Sequence, residues 1–373
     1  MRVVSVDGVS FGGNKIIDSH VHLGKWGDKS YPVSSLDEFI TKPLENGDTV
    51  EKMLVSSLDC INNKLVDEYV GNSQLLSEIS ANPKLIPLAV AKPDKTYGKV
   101  NLLEKLFKNF PNRFVGLKFH PENIGISANN GFYDNYITFA NKYSIPCLFH
   151  SAATHDVTYK DGSVGKHSEL SRPEQIYELA QRHKNTPIIM AHMGGNEGKN
   201  AQEAIDVLVK SIERGDANLF VDISWVNADT ATKPDIVLAI KKLQNTHKGD
   251  MTNRILFGSD APLGCFGEYG GDTYKAYSKV VQDVKVAIKE AFPSNADDLI
   301  DKIFYRNANE LYFNSPKASK SLSKLAKFGI AAVVLAIAVG IGAICKAAKK
   351  YLIVRICNFC LHLKSLCSRI LGI

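Results

Sequence analysis

The chain has 373 residues, 45% of them hydrophobic and 23% charged, enough to bury one large core without disulfide staples. Its formal net charge of +6 is uneven, because ten basic and no acidic residues follow Glu310, which leaves the first 310 residues at −4. That balance argues against a nucleic-acid-binding body, since the basicity belongs to the tail.

Eight short apolar runs alternate with helix-like stretches along the chain. The runs cover residues 15–22, 50–57, 85–91, 114–121, 145–152, 187–194, 218–224 and 254–262. Most are continuously apolar rather than alternating, as parallel strands buried on both faces require. Helical patterns between them include 102–107, 173–183, 202–212 and 234–243. Ser171-Arg172-Pro173-Glu174 reads as a helix start with Ser171 as the cap. Eight β-then-α units predict an α/β fold, a (β/α)8 TIM barrel. An open doubly wound sheet is disfavoured, because no Gly-rich nucleotide fingerprint follows the first run. The expected organisation is a barrel over 1–315, a basic linker over 316–327 and a hydrophobic helical tail over 328–373. Two long polar and glycine-rich loops, 153–170 and 263–273, would leave the C-terminal rim of the barrel as lids or as plain connections.

The ends of the runs carry the chemistry. Asp18-Ser19-His20-Val21-His22 closes the first, and side chains two apart on a strand share a face. By that parity Asp18, His20 and His22 point together. So do Lys118 with His120, Leu148 with His150, Met190 with His192, and Gly258 with Asp260. Five of the ten histidines thus sit at strand ends, where a barrel would bring them to one mouth. Trp225, just past the seventh run, is read as a substrate wall or as an aromatic that only packs beside a loop. His155, His167, His183 and His247 are read as surface residues, and Cys147 as core.

The ordered set His20, His22, Lys118, His150, His192 and Asp260 resembles the metal-binding series of the amidohydrolase superfamily. The segments IDSHVHLG, VGLKFHP, IPCLFHSA, IIMAHMGG, ILFGSDAP and FYRNANELY are similar to its amidohydrolase 2 branch, which includes the aminocarboxymuconate-semialdehyde decarboxylase-like enzymes. The likeness spans residues 15–313. It implies a metal-dependent barrel in which a divalent ion, zinc first, is held by His20, His22, His150 and Asp260. Bound water acidified to a pKa of about 7 would be the nucleophile, with Asp260 shuttling the proton. His192 would hold a second metal or orient water. Asp18 would support an imidazole N–H from outside the ligand set. One ion is preferred, and two require a carboxylated Lys118, because a protonated lysine cannot ligate. Unmodified Lys118, and His120 beside it, would instead anchor a substrate carboxylate. The implied activity is hydrolysis of an amide, ester or lactone-type bond in a small molecule. The alternatives are non-oxidative decarboxylation of an unsaturated carboxylic acid on the same site, or a non-catalytic, membrane-tethered barrel.

Residues 328–345 are 18 in a row without a charge, flanked by Lys320, Lys324, Lys327, Lys346, Lys349 and Lys350. Beyond them Leu352, Ile356, Phe359, Leu363, Leu366 and Ile370 recur at helical spacing among basic residues. Together these read as a membrane anchor and a basic amphipathic helix on anionic lipid, with the barrel facing the cytoplasm. Ala332, Ala336 and Gly340 also allow a helix that mediates a homo-oligomer. Seven cysteines, four of them in the last 29 residues, show no disulfide framework, and the first residues show no apolar export signal. Free thiols in a reducing compartment are expected.

Overall fold

A computed structural model describes residues 13–62, 66–93, 100–151, 156–158, 164–166, 170–195, 198–224, 232–265 and 272–314. The chain divides into two units, Met1–Ser315 and Pro316–Ile373. The second unit, with the linker and tail expected there, lies outside the described residues, as do Trp225, His155 and His167. Among the described residues no helix is long and apolar enough to cross a membrane.

Each of the eight apolar runs holds a strand. In order these are Lys15–Trp26, Thr49–Ser57, Leu85–Pro87 continued by Ala89–Val90, Leu117–Phe119, Cys147–Phe149, Ile188–Met190, Leu219–Asp222 and Ile255–Leu256. Every sequential pair is parallel. The eighth segment returns to the first: Ser19 N–H donates to Phe257 O at 3.0 Å, Asp260 N–H to His20 O at 2.8 Å, and His22 N–H to Ala261 O at 2.8 Å. The sheet therefore closes into the expected α/β barrel. Several strands are shorter than their apolar runs. Pro121, which has no N–H to give a ladder, instead begins the helix Pro121–Ile124.

Alternation sorts most apolar strand residues between two cores. Ile17, Leu54, Leu88, Leu148, Ile189, Phe220 and Leu256 meet inside the barrel, over Ala308 and Tyr312 of the helix Asn307–Tyr312. Ile16, Val21, Leu23, Leu117, Phe119, Cys147, Phe149, Met190 and Phe257 belong to the larger cluster with the helices. Cys147 is accordingly core.

Three local readings of the sequence are corrected. The first strand carries a register irregularity between Asp18 and Val21, where three steps on one strand answer two on its neighbour. A β-bulge of this kind reverses parity. Ile17 and the two histidines therefore face inward, while Asp18 turns toward Ser259, whose Oγ donates to Oδ2 at 2.6 Å. Asp18 supports no imidazole. It accepts the backbone N–H of His20 at 3.2 Å and that of Ser259 at 3.0 Å. In the sixth strand Met190 faces outward and Ala191 inward, so simple alternation would also send His192 outward. A left-handed backbone at His192 (φ 55°) and Met193 (φ 47°) re-aims it. Finally, Arg172, not Ser171, flanks the helix Pro173–Arg182, and the Gln175 side chain accepts the Arg172 N–H at 3.1 Å. The Ser171 hydroxyl is drawn instead to the buried Glu122 carboxyl.

The barrel seam is tight at Gly258, where an added Cβ would stand 2.8 Å from His20 Cβ and 3.3 Å from Ser224 Cβ. Neither neighbour is the far end of a flexible side chain. Gly258→Ala is predicted to lower stability by about 1–3 kcal/mol through overpacking, read as a lower urea midpoint at unchanged slope. An unchanged midpoint would mean that the seam opens freely.

Candidate functional site

His20, His22, Lys118, His150, His192 and Asp260 are all buried at the C-terminal ends of the strands. Four of them surround one point. His20 Nε2 lies 3.1 Å from His22 Nε2, 3.3 Å from Asp260 Oδ1 and 2.6 Å from Lys118 Nζ. His22 Nε2 lies 3.0 Å from the same Asp260 oxygen. His192 joins through a ligand atom within 4.8 Å of those of His20 and Asp260.

The far side of each ring explains its direction. His20 Nδ1 is 3.0 Å from Asp222 Oδ2 and 3.0 Å from Ser224 Oγ. His22 Nδ1 is 2.8 Å from Ser56 Oγ, and His192 Nδ1 is 2.8 Å from Ser224 Oγ. Burial pushes the Asp222 carboxyl up, but His20 and His192 outweigh that and hold it well below the usual carboxylate range. Asp260 is held low in the same way by His20 and His22. Burial lowers all three imidazoles, His192 to about 4, against the pull of Asp260 and Asp222. Burial also brings the Lys118 amine down to about 8, against the pull of Asp260 and Asp222.

These observations test whether the residues suit a divalent cation. An anionic Asp222 accepts from His20 Nδ1–H, which leaves the Nε2 lone pair facing inward. Donors about 2.1 Å from a tetrahedral ion stand roughly 3.4 Å from each other. The 3.0–3.3 Å spacings among His20, His22 and Asp260 are close to that. Two imidazoles and a carboxylate are also the donor chemistry that zinc prefers. The residues fit a cation.

A second cluster stands beside the first. His120, Glu122 and His150 have ligand atoms within 4.8 Å of one another. The His120 and His150 rings, however, stack at 4.0 Å and 8°. In-plane lone pairs on parallel rings run side by side and do not converge, so this pair suits a flat wall better than a shared ion. Trp26 extends the wall, 6.0 Å from His120. Burial raises the Glu122 carboxyl to about 7. His150 links the clusters, with Nδ1 3.1 Å from His192 Nε2. Lys118 lies inside the ligand cluster rather than on an open wall.

Asp222, Ser224, Ser56 and Glu122 were not singled out from the sequence. Phe220-Val221-Asp222-Ile223-Ser224 held a signal, since acid and hydroxyl both fall at the inward parity of an apolar strand. Asp260 (φ 60°), like His192, sits in the left-handed region that side chains disfavour. Such strain persists where surrounding bonds over-determine it, and both residues stand in the buried cluster.

A model of a family described as amidohydrolase matches residues 107–313. No curated protein matches the chain. Among solved structures, a zinc-bound amidohydrolase from Burkholderia multivorans aligns at TM-score 0.52 and 11% identity over 80% of this chain and 98% of that one. A candidate 2-pyrone-4,6-dicarboxylic acid hydrolase from Pseudomonas putida aligns at 0.52 and 12%, over 80% and 97%. A 5-carboxyvanillate decarboxylase from Sphingomonas paucimobilis aligns at 0.52 and 12%, over 80% and 99%. At these identities the structural likeness establishes a common fold.

Ser171→Ala is predicted to strip the buried Glu122 carboxyl of its hydroxyl donor and to cost about 1–3 kcal/mol, read by chemical denaturation. No loss would show that this hydroxyl does not hold the wall.

Proposed function

The chain belongs to the amidohydrolase family, and on that premise we propose that it is a metal-dependent hydrolase cleaving an amide, ester or lactone-type bond in a small molecule. The observation that carries this reading is the 3.0–3.3 Å convergence of His20 Nε2, His22 Nε2 and Asp260 Oδ1 at a barrel mouth. Those three would hold the ion, with His192 or His150 completing the set; zinc is proposed, as one ion. When bound, a divalent cation supplies Lewis acidity, polarising an acyl oxygen and acidifying water.

The chain's own residues supply the rest. Asp260 is held ionised, so its carboxylate can accept a proton from an attacking water and return it to the leaving group. His192, lowered by burial to about 4, can accept a hydrogen bond from an attacking water through its inward Nε2. Lys118 Nζ, or the stacked His120, would take a substrate carboxylate, and the His120–His150 wall would exclude water from one side. A second ion would need carboxylated Lys118, which intact mass reads as a gain of about 44 Da.

Decarboxylation is the second reading. A buried lysine beside a neutral histidine suits a carboxylated substrate, and the aligned decarboxylase shows the same fold carrying that chemistry.

Purified protein is expected to carry a divalent ion that His22→Ala loses, by elemental analysis. Asp260→Asn should lower kcat by about 10²–10⁴-fold. Accumulation of a cleaved acid supports hydrolysis, and CO2 release supports the second reading. No ion under any loading condition would leave a non-catalytic barrel.

The membrane tether is a separate proposal resting on the 18 uncharged residues at 328–345 alone. Expression without 316–373 should move the protein from the membrane pellet to the supernatant on fractionation. An unchanged pellet fraction would end that proposal.

A further inference from the structure

We infer that Asp222 and Ser224, at the end of the seventh strand, are positioning residues that fix the tautomers of His20 and His192, leaving the nitrogen that faces the cation site without a hydrogen. The inference rests on the metal-dependent reading above, but its argument concerns hydrogens within the chain.

Asp222 is fully buried and serves three segments at once. Its Oδ2 faces His20 Nδ1 at 3.0 Å. Its Oδ1 accepts the backbone N–H of His192 at 2.9 Å and that of Ser224 at 3.0 Å, and it also accepts the Ser224 hydroxyl. A carboxylate has no hydrogen to give, so His20 Nδ1 must donate to it. Ser224 has one hydroxyl hydrogen. Once that is given to Asp222, the contacts of Ser224 Oγ with His20 Nδ1 at 3.0 Å and His192 Nδ1 at 2.8 Å require both rings to donate. The opposite assignment would turn the Ser224 hydroxyl toward a ring and set two oxygens against each other without a hydrogen between them.

Both rings are therefore locked with hydrogen on Nδ1 and a lone pair on Nε2. The same carboxylate ties down the backbone of His192, whose left-handed φ of 55° needs such a bond to persist. One anion on the seventh strand thus aims a ligand from the first strand and a ring from the sixth. An amide at 222 would present N–H where His20 now donates. The imidazole would then move its hydrogen to Nε2, the atom that must be bare to hold a cation.

Full-length protein labelled with [15N]histidine and stripped of metal reads the tautomers directly in long-range 1H–15N spectra. Peaks are assigned with His20→Asn and His192→Asn. In the wild type both rings should carry hydrogen on Nδ1. Asp222→Asn should move His20 toward the Nε2–H form and weaken zinc binding by about 10–100-fold in chelator competition. Ser224→Ala should release His192 while His20 keeps its form. An unchanged His20 tautomer with unchanged zinc affinity in Asp222→Asn would overturn the inference. Should that variant not fold, an unchanged His192 tautomer in Ser224→Ala does so instead. A wild type that binds no zinc defeats the hydrolase reading, while the tautomer comparison still decides this one.

Discussion

The seam between the eighth and first strands is the constraint from which the site follows. Backbone bonds from Asp260 to His20 and from His22 to Ala261, both at 2.8 Å, close the barrel. Those same bonds set the Asp260 carboxylate against two imidazoles that lie 240 and 238 positions away in the chain. Closure and assembly of the site are therefore one event. Gly258 is part of the reason it can happen, because a side chain there would hold the strands apart.

Bringing ionisable groups out of water is costly unless they are paired and hydrogen-bonded. Here each ionisable group has buried partners. Asp222 and Asp260 are held low by the imidazoles they face, and Lys118 and the imidazoles are lowered by burial against the pull of both carboxyls. Asp222 spends its lone pairs on two backbone N–H groups, a hydroxyl and a ring. Lowered imidazoles release their protons more readily, and only the deprotonated ring nitrogen can bind a cation. The surrounding core, with Phe257, Phe304 and Tyr277 packed behind the seam, resists relaxation of the strained turns.

Much of the barrel was legible in the sequence because parallel strands buried on both faces leave continuous apolar runs, and all eight runs hold a strand. The placement of the candidate ligands at strand ends was legible for the same reason. Parity was the weak tool. It held for Lys118 and His150, whose strands alternate regularly, and failed at Asp18 and at His192. A bulge and a left-handed turn are backbone events that no residue pattern announces. Asp222 and Ser224 could have been found by the inward parity they share with Phe220. Glu122 could not, since its position depends on the helix that starts at Pro121. The Ser171 cap was misread because a buried carboxyl attracts a hydroxyl more strongly than a helix end that Gln175 already serves.

The most direct measurement is anomalous diffraction at the zinc edge from crystals of the zinc-loaded protein. The account places a single strong peak about 2.0–2.2 Å from His20 Nε2, His22 Nε2 and a carboxylate oxygen of Asp260. A peak coordinated by other residues, or none at the barrel mouth, would contradict it.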